Sequence, residues 1–149
     1  MREMRALSVR QPWAELIVSG RKTIELRKWY TSYRGLLWLH TGKAEDKELE
    51  DVFGLSGLFH GGYLGTVDLR AVVRVDRERW QSWRDRHLDR GPYQRGHFAW
   101  VLSSPIRFKQ PISGPGNRGL YEPGAAQEAL LREAFRSAAG AAARPQLPM

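Results

Sequence analysis

The sequence predicts an α+β domain: a small β-barrel of five to six strands with flanking helices and a C-terminal helix. Three observations carry this reading. Several short segments alternate between apolar and polar residues, or run apolar, as half-buried and buried strands do. Glycine and proline, 15 and 8 in number, punctuate the intervals between them. Helical spacing is confined to short stretches between these strands and to one longer stretch near the end, which places helices at the edges of a closed sheet.

Met4 to Ser8 reads as a short strand. Pro12 to Ser19 reads as a helix, capped by Gln11 or Ser8. Pro12 suits the first helical position, Gly20 the left-handed exit, and Trp13, Leu16 and Ile17 share one face. Lys22 to Arg27 alternates, with Ile24 and Leu26 toward the core and Thr23, Glu25 and Arg27 on the other face. Gly35 to Thr41 is apolar on both faces, hence a buried strand. Lys43 to Phe53 reads as a helix with Leu49, Val52 and Phe53 facing in. Tyr63 to Val75 is the longest strand signal, with a bend expected near Gly65 and with Val67, Leu69, Ala71, Val73 and Val75 on one side.

Arg77 to Leu88 reads as one charged helix carrying Trp80, Trp83 and His87 on one side. His97 to Leu102 and Ile106 to Ile112 are strands joined by a Ser-Ser-Pro turn. Gly114 to Gly119 is a glycine-rich loop. Pro123 to Ala138 is a helix with Leu130, Leu131 and Phe135 as its apolar stripe. Ser137 to Met149 is low in complexity and is expected to be weakly ordered. The domain reading is therefore residues 1–122, with the helix and tail of 123–149 appended to the same unit.

The composition excludes several classes of protein. The chain of 149 residues has no cysteine, so it has neither disulfides nor a cysteine-ligated zinc. Its four histidines are scattered, and no metal or other cofactor is expected. No apolar run reaches the eighteen or so residues of a membrane span, and the charged opening segment does not read as a secretory leader. A cytoplasmic location is the expectation. The formal net charge is +8, and 19 of the 24 cations are arginine. Arginine forks grip phosphate and stack on bases, so an anionic partner, nucleic acid first, fits this balance. An arginine-favouring genome gives the same balance, and charge alone leaves the two readings even.

The candidate site lies in the N-terminal third. Arg10 and Gln11 precede the first helix, where free N–H groups favour an anion. Lys22, Glu25 and Arg27 occupy the second strand. Lys22 reads as a surface lysine that binds phosphate, whose removal costs no more than about 0.5 kcal/mol of stability. An ionised Glu25 nearby keeps it cationic. Trp29, Tyr30 and Tyr33 occupy a loop flanked by Lys28 and Arg34, as base-stacking residues do, and Trp29 or Tyr33 is the stacking candidate. His40 and Lys43 close the buried strand, and Arg118 lies in the glycine-rich loop, whose glycines would let backbone approach a phosphate.

The strings LSVRQPWAELIVSGRKTIELR and WYTSYRGLLWLHTGK resemble the ASCH domain family. Gly96, Phe98, Ala99, Trp100 and Leu102 match the family's later strand, and Pro111, Gly114, Gly119 and Leu120 its closing segment, with Tyr121 where Trp is usual. The resemblance implies a PUA-like barrel over roughly Leu7 to Tyr121. It also implies RNA or a nucleotide as partner, held in a basic cleft, in translation or RNA metabolism. One branch of the family hydrolyses N-acylated pyrimidine nucleosides with a lysine, a threonine and a glutamate, and another member is a ribonuclease. The hydrolase lysine falls on Lys22, and its threonine on Glu25, so Lys22 and Glu25 are the catalytic candidates of that alternative. A protein-interaction module with a basic surface is the third reading. Oligomeric state is left open.

Overall fold

The computed structural model describes residues 4–143. Six strands form one curled sheet, a half-barrel: β1 (Arg5–Ser8), β2 (Ile24–Arg27), β3 (Gly35–Thr41), β4 (Gly62–Arg74), β5 (Phe98–Ser113) and β6 (Leu120–Tyr121), in the order β2-β5-β4-β3-β1-β6. All neighbours run antiparallel except β1 and β3, which are parallel with Ser8 opposite His40. Five helices pack around the sheet: α1 (Trp13–Val18), α2 (Lys47–Val52), α3 (Arg77–Ser82), α4 (Arg84–His87) and α5 (Ala125–Ala143). The α+β fold is as the sequence predicts, and β3 has the predicted boundaries.

Both faces of the sheet are covered. On one, α1 buries Ala14, Ile17 and Val18 against Leu37, Leu39, Val67, Leu69 and Trp100. On the other, Trp80 of α3 packs with Ile24, Val75 and Ala99. The third cluster lies under α5, where Leu131 and Phe135 meet Trp38 and Phe108. The C-terminal helix is longer than predicted and runs to Ala143, so residues 137–143 of the supposed tail are helical. Residues 144–149 lie outside the described part. Leu130, expected in the apolar stripe, is 56% exposed, because Leu131 takes the inward position.

The strands differ from the sequence pattern in three ways. First, the Ser103-Ser104-Pro105 stretch does not turn the chain, and β5 passes through it unbroken. Ser104 absorbs the kink at φ 51°, and one extra β5 residue is accommodated between Thr66 and Asp68. Gly65 sits where the strands crowd: a Cβ there would lie 2.0 Å from the Ile106 carbonyl oxygen, so only glycine fits. Second, the alternation along β4 does not hold to one face. A register shift between Leu69 and Ala71 leaves Val67, Leu69 and Val72 in the α1 core and sends Val73 and Val75 to the α3 side. Third, Leu120–Tyr121 forms a strand against β1 that alternation over two residues cannot signal.

Two helical stretches are shorter than the sequence predicts. Only Lys47–Val52 of the second helical stretch is helical, capped by Asp46, whose side chain accepts from Leu49 N. There Phe53 packs edge to face on Trp13 at 5.6 Å, as an inward residue should, but Val52 is exposed and Glu50 is buried. The charged stretch from Arg77 breaks at Trp83 into α3 and α4. In an unbroken helix Trp80 and His87 would lie about 10 Å apart along the axis. With the break their rings are 5.2 Å apart, and His87 Nε2 lies 2.8 Å from Trp80 O.

Candidate functional site

Parallel pairing brings the C-terminal ends of β1 and β3 side by side, and the candidate residues collect there. Val9 N donates to His40 O at 2.8 Å. Ser8 Oγ lies 2.8 Å from His40 Nδ1, and His40 Nε2 lies 3.0 Å from Gly114 O. A carbonyl only accepts, so Nε2 carries the proton and Nδ1 accepts from the Ser8 hydroxyl. The 114–119 loop is thus fastened over the strand ends. Gly116 makes the closest approach: a Cβ would sit 2.3 Å from His40 Cε1 and 2.5 Å from Ser8 Oγ. This glycine makes room for an imidazole, where the sequence suggested room for a phosphate.

Lys22 is only 4% exposed, so the expected surface cation is an interior one. Its Nζ donates to His87 O at 2.5 Å, lies 3.5 Å from Glu25 Oε1, and stands 4.6 Å from the centroid of the Trp13 ring. Desolvation pushes the Lys22 pKa down despite the opposing pull of Glu25. Glu25 pulls the pKa up, as expected of a nearby carboxylate, but burial outweighs it and the net shift is downward. Glu25, also buried, uses its second oxygen on Arg27 Nη1 at 3.1 Å. Arg27 Nη1 in turn lies 3.4 Å from Ser8 O. One polar line therefore runs Lys22–Glu25–Arg27–Ser8–His40–Gly114 across the base of the site.

Gln11 is buried, and both ends of its amide are engaged. Its Oε1 accepts from Glu15 N at 2.9 Å and its Nε2 donates to Phe59 O at 2.9 Å. It braces α1 and leaves no amide for a base edge. Tyr33 belongs to the wall, packed on the α1 core with its hydroxyl donating to Leu36 O at 2.5 Å. Trp29 meets Trp100 edge to face at 4.7 Å and has the Arg27 guanidinium 5.9 Å from its ring centroid. The aromatic that does face outward from this loop is Tyr30, at 54% exposure. Arg10, Lys43 and Arg118 are exposed. They flank the junction: Arg10 follows Val9, Lys43 lies along Gly61, whose carbonyl accepts from Gly114 N, and Arg118 stands in the fastened loop.

The predicted residues thus divide. Lys22, Glu25, Arg27 and His40 form a buried or half-buried base, Gln11 and Tyr33 support it, and Arg10, Lys43 and Arg118 stand above. The sequence offers Ser8 only as a helix cap and Tyr30 only as one of three loop aromatics, with Trp29 and Tyr33 ahead of it as the stacking candidates. Ser8 has no further signal beyond its place at a strand end, whereas Tyr30 shares its cation-flanked loop with Trp29. Among the described residues no group of three or more His, Asp or Glu side chains is arranged to hold a metal, and no helix is long and apolar enough to cross a membrane.

A curled six-stranded sheet with the first helix on one face and a pinned glycine-rich loop across its parallel strand ends defines the half-barrel class. The chain belongs to the ASCH domain family, whose model matches residues 7–112. Solved structures agree in fold. The ASCH protein of Zymomonas mobilis superimposes with a TM-score of 0.66 at 16% identity, covering 89% of this chain and 96% of that one. Two curated relatives are both Activating signal cointegrator 1. The human protein is 61% identical over 125 residues and the Mus musculus protein 32% identical over 119, each match covering 72% of this chain. The chain matches about 20% of the length of either relative.

The two buried histidines make the fold acid-sensitive. Desolvation lowers the pKa of both His40 and His87; Gly114 O opposes it at His40, while Trp80 O and Asp89 oppose it at His87, where Lys22 and Arg84 add to it. Below the unfolded value of 6.5, the unfolded chain binds protons that the folded chain refuses. This stability is complete above that value and is lost as pH falls through the window below it. The slope approaches about 1.4 kcal/mol per pH unit for each histidine. Urea midpoints measured from about pH 7.5 down to about pH 5.5 should fall steadily. A flat profile would mean that the histidines charge freely in the folded protein.

Proposed function

We propose that the chain binds single-stranded RNA across the junction of β1, β3 and the 114–119 loop. The carrying observation is the arrangement of charge there. Two basic groups, Lys22 and Arg27, share the single carboxylate of Glu25, and exposed Arg10, Lys43 and Arg118 stand around them. Such a junction attracts a polyanion and repels a cation. Trp29 and Tyr30 supply aromatic surface beside the cations, as sequence-tolerant single-strand binding requires. Family membership points the same way. The hydrolase alternative needs Lys22 turned toward a substrate. Its ammonium is turned instead to His87 O, Glu25 and Trp13, which supports binding over turnover.

The test is a salt series with a single-stranded RNA of about twelve nucleotides. Affinity should fall steeply between about 50 and about 200 mM salt. Replacing Arg10, Lys43 and Arg118 together by Ala should flatten the log–log slope by about 2, or about 0.7 for each lost phosphate contact. Exposed side chains carry little of the fold, so thermal stability should barely change. Unchanged affinity and slope in that variant would remove the junction as the binding site.

A further inference from the structure

A second basic concavity lies away from the strand-end junction, at the far end of β4. Arg74, Val75, Asp76, Arg79, Tyr93, Arg95 and Gly96 line a pocket of about 720 Å3. Arg74, Arg79 and Arg95 have no carboxylate partner among the described residues. The one carboxylate in the lining, Asp76, accepts from Arg79 N at 2.8 Å as the cap of α3. Arg79 is held in place, its Nη1 donating to Arg74 O at 2.8 Å and its guanidinium 5.3 Å from the Trp83 centroid. A fourth cation stands beside the pocket, with the Arg77 guanidinium 4.8 Å from the Tyr93 centroid. Arginine forks without carboxylates, beside an aromatic ring, match the bidentate geometry of phosphate.

A ridge connects this pocket to the proposed site. Strand pairing sets Arg27, Phe98 and Arg74 side by side on β2, β5 and β4. The Arg74 guanidinium stands 5.2 Å from the Phe98 centroid, and Tyr30 meets the other side of the ridge, 5.9 Å from Phe98. The Arg34 guanidinium lies 5.7 Å from the Tyr30 centroid. Two aromatic rings thus stand between cations across the sheet end. Two strand spacings separate Arg27 from Arg74, about 10 Å at the backbone, which is the length of about three stacked nucleotides.

We propose that the Arg74–Arg79–Arg95 pocket is a second phosphate subsite, holding the backbone of the same single-stranded RNA after it crosses the Tyr30–Phe98 ridge. The inference rests on the RNA reading above. The experiment compares RNAs of about four and about twelve nucleotides, the shorter able to fill only the junction. For Arg79→Ala/Arg95→Ala the short RNA should bind as to the wild type. The long RNA should lose about 1.4 from its log–log salt slope, so that the wild type loses about sevenfold more affinity than the variant over a fourfold rise in salt. Arg95→Glu, at an exposed position, should act in the same direction and guards against a folding defect in the double variant. Long-RNA binding with unchanged slope in both variants overturns the subsite and leaves the junction reading standing. Equal weakening of short and long RNA also overturns it. No RNA binding by the wild type would remove both.

Discussion

Lys22→Ala should destabilise the protein by about 3 kcal/mol, although the sequence presents Lys22 as a surface lysine. Removing one member of a buried ion pair costs about 3–5 kcal/mol. The lower end applies because Glu25 keeps Arg27 as a partner at 3.1 Å. Part of the loss is the burial of the four-carbon stem, and Lys22→Met should recover that part. The difference between wild type and Lys22→Ala should also widen as pH rises. The folded Lys22 pKa lies below its ordinary 10.5, so in that window the unfolded chain holds a proton that the folded chain has released. Stability from this group therefore grows toward alkaline pH. Tyr63 and Tyr121, whose ionisation burial suppresses, act in the opposite direction but cancel in the comparison. Denaturant midpoints at equal m-value measure the effect. A loss under about 0.5 kcal/mol would return Lys22 to the surface class.

Trp100→Ala should cost about 3–5 kcal/mol and also weaken RNA binding. Trp100 is fully buried, meets Trp29 edge to face, and donates its Nε1 proton to Trp29 O at 3.3 Å. The substitution therefore opens a cavity and releases the loop that presents Tyr30 and Arg34. Trp100→Phe should restore much of the packing but not the hydrogen bond. Thermal unfolding and the salt series on the same samples separate the two effects. Intact RNA affinity in a folded Trp100→Ala protein would show that the loop holds its shape without this support.

The readability of the fold followed the length over which a pattern persisted. Gly35–Thr41 is apolar throughout and buried throughout, so its limits were plain. Strand β4 failed where a bulge exchanged its faces, because period-two alternation assumes an unbroken pleat. The Arg77–Leu88 helix failed because the Trp80–His87 contact, not helical propensity, decides where the chain bends. The site failed in a more instructive way. Spacing placed Lys22 and Glu25 together correctly, but nothing in GRKTIELR shows that Trp13 and the His87 carbonyl close over the lysine. Those partners arrive from α1 and from the end of α4, 65 residues away. The same holds for Gly116, which looked like a phosphate loop and serves the ring of His40.

The position of β1 bears on the order of assembly during synthesis. This strand emerges from the ribosome first among the six, yet both of its hydrogen-bonding edges wait for later neighbours. Its parallel partner β3 ends at Thr41, and the opposite edge is closed only by Leu120–Tyr121. Parallel pairing across an intervening helix and strand, followed by closure over more than a hundred residues, makes these contacts slow to form. Until then a growing chain carries an apolar Ala-Leu strand with one open edge, the kind of surface to which nascent-chain chaperones bind.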